Sequence, residues 1–186
     1  MNTLRLFPKM VIAVGIAFAL AGLIAVGAGV YIRTFVGREL AAQQITTPED
    51  ASMPNVPVTG MASALSMADI IQHHAADSSN GLSYAQMGRF AVESGDPAGT
   101  NKADEALKDA NGKPVANQAR NTQLTAASLV TSLSLSAMAI GASYGAIALG
   151  VGFTLLGIVI AGLGYALLGL ITPEVARRFG VHPVAV

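Results

Sequence analysis

No Asp, Glu, Lys, Arg or His occurs between Arg120 and Glu174. A helix needs about 20 apolar residues to cross a bilayer core, so this run is too long for one upright span. Its second half, residues 147–171, is apolar on every side and reads as a transmembrane helix. In its first half Thr125, Ser128, Ser132 and Ser136 recur near helical spacing, while Leu129, Leu133 and Ile140 line another face. That half is either a third span whose hydroxyls bond to neighbouring helices, or a helix outside the bilayer leading into the span. Thr172-Pro173 ends the element, because proline lacks an amide hydrogen and restricts the residue before it.

The chain of 186 residues is 52% hydrophobic and only 12% charged, with a mean hydropathy of +0.53. Charge this sparse predicts an all-α integral membrane protein rather than a soluble domain. A net charge of zero offers nothing to attract nucleic acid. The absence of cysteine removes disulfides, thiolate metal sites and thiol nucleophiles.

Residues 10–32 form a second apolar run, flanked by Arg5 and Lys9 before it and by Arg33 and Arg38 after it. A signal peptide shares those features, but the run is longer than a usual signal core, and Tyr31-Ile32-Arg33 reads as an interfacial anchor. Hydropathy therefore divides the chain into an N-terminal transmembrane anchor (1–38), a small helical cap (39–120), a C-terminal membrane helix or helical hairpin (121–173) and a tail (174–186). Two transmembrane helices are expected, and the hydroxyl-rich half of the uncharged run adds a third if it crosses.

Glycines in both apolar runs fall seven apart: Gly15, Gly22 and Gly29 in the first, Gly150, Gly157 and Gly164 in the second. Gly141 and Gly145 add one GxxxG pair. Hydrophobic force between helices is small in lipid, so small residues that let backbones approach are a main source of association. These eight glycines are the expected helix-packing positions, although glycine is also simply common in membrane helices.

Within the cap, residues 41–65 read as a linker, with Pro48, Pro54 and Pro57 among small polar residues. A helical pair follows. Ser66 and Asp69 form a capping pattern for a helix to Ala76, and Asn80-Gly81 marks a turn. Ser83 and Gln86 repeat the pattern for a second helix, with Tyr84, Met87, Phe90 and Ala91 on its buried side. Ile70, His74, Tyr84 and Phe90 are the expected cap core. Residues 95–120 are poor in bulky side chains and read as a mobile loop, with a short helix over 103–110.

Chemistry finds little foothold. His73 and His74 are adjacent, so on a helix they diverge by about 100° and do not readily share one ion. Asp69 and Asp77 give each histidine only one helical carboxylate partner. No phosphate-binding glycine loop, serine elbow or HExxH is present, and neither apolar run holds an ionisable side chain. The reading is of a non-enzyme with no cofactor and no metal. Arg5 and Lys9 favour a cytoplasmic N-terminus and an extracytoplasmic 39–120 region, whereas Arg177-Arg178 favours a cytoplasmic C-terminus and hence an even number of spans.

The segment Ala68-Asp69-Ile70-Ile71-Gln72-His73-His74-Ala75, followed by Asn80-Gly81-Leu82-Ser83-Tyr84-Ala85, resembles a family of small actinobacterial membrane proteins. Its pattern runs A-D-[VI]-I-x-x-H-A, then G, then [ST]-Y-A, so His74, Gly81 and Tyr84 match it and His73 does not. Residues 127–133 and their glycine-rich continuation look like that family's second membrane element; residues 99–113 and the tail after Ala161 are not covered. Members often carry the description aromatic ring-opening dioxygenase, a chemistry that uses two histidines and a carboxylate on iron, and the histidine placement here does not supply that set. Length and layout are also similar to a small accessory subunit of the corynebacterial cytochrome bcc–aa3 supercomplex. The resemblance implies a non-catalytic plasma-membrane subunit, with lipid and other membrane subunits as partners. A self-associating channel or envelope factor is the alternative.

Overall fold

A computed structural model describes residues 2–171, with side chains placed for residues 6–170. The order is α1 (Asn2–Ala42), α2 (Met61–Ser78), a single 3-10 turn (Tyr84–Gln86) and α3 (Gln118–Ile171). No β-strand occurs among the described residues, only isolated bridges. α1 and α3 are both long and apolar enough to cross a membrane. Pro173, Arg177, Arg178 and His182 lie outside the described residues.

α3 is one uninterrupted helix of 54 residues, about 81 Å long at 1.5 Å per residue. Among the described residues the segment from 121 to 171 is therefore one helix and not a hairpin. Ser and Thr do not break the first half, because each turns its hydroxyl onto its own helix: Thr125 Oγ1 to Asn121 O, Ser128 Oγ to Leu124 O, Ser132 Oγ to Ser128 O. That back-bonding leaves no hydroxyl to compete for an alternative backbone conformation.

The chain divides into two compact units, Phe35–Ile140 and the remainder. In the remainder, α1 and α3 run antiparallel along a seam described below. Phe18 meets Phe153 edge-on at 5.8 Å, and the Arg33 guanidinium lies 5.1 Å from the Tyr144 ring centroid.

The Phe35–Ile140 unit has its own core: Leu40 from the end of α1, Val58 from the connection, Ala64 and Ala68 from α2, and Leu133, Ala137 and Ile140 from α3. Residues 43–60 are not a loose linker. Thr46 bridges Pro57, and buried Thr47 accepts from Val56 N at 3.0 Å while its hydroxyl bonds Met53 O. α2 starts six residues earlier than the Ser66 cap predicts. Gly60 is its N-cap, and Ser63 Oγ accepts from the Gly60 amide at 3.2 Å. Ser66 is buried instead and accepts from Met53 N at 2.9 Å.

The second cap helix is replaced by that single 3-10 turn. Beyond it the chain extends, and Phe90 bridges both Thr100 and Ala116. Residues 103–110 are not helical either; Leu107 N bonds Ala91 O and Val115 N bonds Leu107 O, each at 2.8 Å. The region expected to be a mobile loop is thus laced by backbone bonds. Short sequence patterns suited a helix, but Gly88, Gly95, Gly99 and Gly112 favour turns. Gly99 sits at φ +59, where an added Cβ would also collide with Phe90 O and the Asn117 side chain.

Candidate functional site

The seam between α1 and α3 is built from the heptad glycines. A methyl group added at Gly15 would sit 2.7 Å from Gly157 O, and one at Gly157 2.5 Å from Gly15 O. Gly22 and Gly150 show the same reciprocity, and Gly29 meets Ser143 O at 2.7 Å. Gly164 closes the row against Pro8 O at 3.0 Å. Each of these six glycines is buried. A spacing of seven on antiparallel helices keeps all of them on one line, and the missing side chains let backbone touch backbone. Gly145 lies off this line, exposed and with open space where a Cβ would project, and Gly141 is half-buried. Their GxxxG spacing places them on a different face of α3 from Gly150 and Gly157.

With the small residues inside, the large ones point out. Leu20, Leu23 and Ile24 on α1, and Leu149, Leu155 and Ile158 on α3, are all exposed, Ile24 at 73%. Thr154 also lies at the seam, and its Oγ1 donates to Gly150 O at 2.8 Å.

In the cap, the four expected core residues separate. Ile70 is buried and Phe90 half-buried, but His74 and Tyr84 are at the surface. His74 is held outward by Asp50, with Nε2 2.6 Å from Oδ2. This hydrogen bond holds the Asp50 carboxyl below the usual carboxylate range. Tyr84 lies under Arg120, whose guanidinium is 3.9 Å from the ring centroid. His73 pairs with Asp77 at 3.5 Å rather than with Asp69. Among the described residues no three His, Cys, Asp or Glu side chains come close enough to hold a metal ion.

An open groove of about 440 Å³ runs between α2 and the first turns of α3, with Ile71, Ala126 and Leu129 among its apolar lining and His74, Asn121 and Thr125 among its polar lining. Lys102 and Glu105 form a separate surface pair, 2.5 Å apart, and the lysine lowers the pKa of that carboxyl.

Sequence reasoning missed the residue that organises the cap, Asn117. It is buried, and its Nδ2 donates to Gly88 O at 3.1 Å and Pro97 O at 2.9 Å. Its Oδ1 accepts from Ala119 N at 3.1 Å, which makes it the N-cap of α3. An Asn just before the long uncharged run was the available signal. Ser79 was missed as well. It is fully buried and takes a 2.8 Å bond from Gln123 Nε2.

Comparison with protein-family models, curated proteins and solved structures finds no match to this chain.

Proposed function

We propose that this chain is a two-span plasma-membrane protein that contributes helix surface, not reactivity, to a larger membrane assembly. The observation that carries this reading is the seam. Placing every seam glycine inward leaves two helices sheathed in Leu, Ile, Val and Phe. An apolar surface of that extent calls for hydrocarbon or protein around it rather than water.

Antiparallel spans put the start of α1 and the end of α3 on one side. The positive-inside rule makes that side cytoplasmic, from Arg5 and Lys9, and residues 39–120 extracytoplasmic. Two spans are also the even number that Arg177 and Arg178 favour in the sequence. The cap carries no reaction in this reading, and His74 serves as a fastener for Asp50.

The likeness in length and layout to a small accessory subunit of the corynebacterial cytochrome bcc–aa3 supercomplex makes such a respiratory assembly the first candidate. The role is then that of an accessory subunit. Isolation of the tagged chain in mild detergent tests it: haem-containing subunits are expected to co-migrate on a native gel. Recovery of the chain without them would count against this assignment. Open space at Gly145, Gly152 and Gly162 suits a second copy of the chain equally well. Crosslinking in intact cells separates the two, since self-association gives a ladder of multiples.

A further inference from the structure

We infer that the bilayer surrounds the two helices only between two levels, Tyr31–Arg33–Tyr144 and Lys9–Tyr165, so that the uncharged residues 121–140 stand in water. The inference rests on the membrane-spanning reading and adds where the membrane stops.

The first level is marked by Arg33, which lies over the Tyr144 ring and so ties α1 to α3 at one height. The second follows from the seam: Gly164 faces Pro8 O and Ile12 N, which brings Tyr165 level with Lys9. Tyrosine and cationic side chains of this kind suit the headgroup region, where an apolar ring or stem can sit below a polar tip. From Tyr144 to Tyr165 the helix rises about 32 Å, and from Lys9 to Arg33 about 36 Å, at 1.5 Å per residue. Both match a hydrocarbon core of about 30 Å, with the markers just beyond its edges.

Hydropathy alone would slide the membrane further up α3. Packing forbids it. Leu133, Ala137 and Ile140 are buried against Val58, Ala64 and Ala68, from the 43–60 connection and α2. Those elements carry Asp50 and Asp69 at exposed positions, together with irregular backbone. Charged side chains are costly in hydrocarbon, and lipid-exposed irregular backbone does not occur there. Along 121–140 one face is core, and the exposed faces mix apolar Leu124, Leu129, Leu135 and Met138 with the hydroxyls of Thr125, Ser128, Thr131, Ser132 and Ser136, each bonded to its own helix. From Tyr144 to Leu170 the only Ser or Thr is Thr154.

A chain without cysteine permits a clean test. Single-cysteine variants S128C, L135C, L149C and I158C of the full chain are reconstituted in phosphatidylcholine vesicles. A charged maleimide is supplied on both sides of the membrane, and rates are normalised to those in denaturant. All four positions are exposed on α3. S128C and L135C are expected to react at least about tenfold faster than L149C and I158C, since a thiolate and a charged reagent both avoid hydrocarbon. Measurement at two lipid-to-protein ratios separates burial by a second copy, which dilution relieves. Slow reaction of S128C and L135C at high dilution would overturn the inference while leaving the spanning reading intact. Fast reaction at all four positions would overturn both.

Discussion

Gly22 and Gly150 exclude each other's side chains reciprocally. A Cβ on Gly22 would lie 2.5 Å from Gly150 O, and a Cβ on Gly150 would lie 2.7 Å from Gly22 O. The same geometry repeats one heptad away at Gly15 and Gly157, so the seam is a row of backbone contacts. Neither helix can supply a larger residue without separating from its partner.

That reciprocity predicts a sharp positional contrast. Gly22→Val forces α1 and α3 apart and is expected to destabilise their pairing by about 1–3 kcal/mol, the usual range for overpacking. Gly27→Val is the control, because nothing lies within 4 Å of a Cβ at Gly27. Thermal unfolding in detergent micelles is the measurement. Equal melting temperatures for the two variants would mean that the seam does not hold the helices.

Asp50 and His74 predict a pH dependence whose sign is set by the carboxylate. The His74 hydrogen bond depresses the Asp50 pKa in the folded chain, so the stabilisation is present above the unfolded carboxylate range and is lost as pH falls through the folded value. The window is therefore acidic, at and below ordinary carboxylate titration. Both side chains are more than half exposed, so the effect is local. In His74→Ala the Asp50 midpoint, followed by carboxyl NMR, is expected to rise toward the ordinary range. Hydrogen exchange in residues 43–58 should quicken. An unchanged midpoint would mean that the pair does not persist in solution.

Asn117 joins three pieces of chain through one side chain, and its two ends predict different losses. Asn117→Asp keeps an oxygen for the Ala119 amide but withdraws the donor shared by Gly88 O and Pro97 O. Asn117→Ala withdraws both. Loss of an N-cap costs about 0.5–2 kcal/mol, and leaving buried groups unpaired costs about 1–3 kcal/mol more. The aspartate keeps the cap but sets a buried carboxylate oxygen against the Gly88 and Pro97 carbonyls. It is thus expected to be no more stable than the alanine variant, and both should lose amide protection at Gly88 and Gly99. Full protection in Asn117→Ala would refute its role as a fastener.

The helical class and the two long apolar helices were legible because their signals are dense. Charge is absent from whole runs, and the heptad glycines repeat at a period that one helix face preserves. Cap structure was harder to read for a physical reason. Tyr84, Met87, Phe90 and Ala91 have helical spacing, yet Gly88 packs against the Thr100 backbone and Asn117 pulls on the carbonyls of Gly88 and Pro97. Contacts from distant residues override a short periodic pattern. The exposure of His74 was hidden similarly, because Asp50 lies 24 residues away and no helical spacing points to it. Ser66 resembled a cap from its neighbours alone. Its true partners, Ser52 and Met53, arrive from the connection.

The hydroxyl-rich half of α3 offers the last contrast, between two leucines two residues apart. Leu133 is 5% exposed in the core of the Phe35–Ile140 unit, and Leu135 is 60% exposed. Composition and helix propensity are the same at both, so only burial distinguishes them. Leu133→Ala removes side-chain volume that Ala64 and Ala68 on α2 cannot refill, since neither has atoms beyond Cβ. A cost of about 2–5 kcal/mol is expected for such a cavity. Leu135→Ala has no cavity to leave and should stay within about 0.5 kcal/mol. Unfolding of the two variants in the same micelles decides it. Comparable losses would place Leu135 in an interface of its own, whereas a loss confined to Leu133 marks that face of α3 as the one the cap is built on.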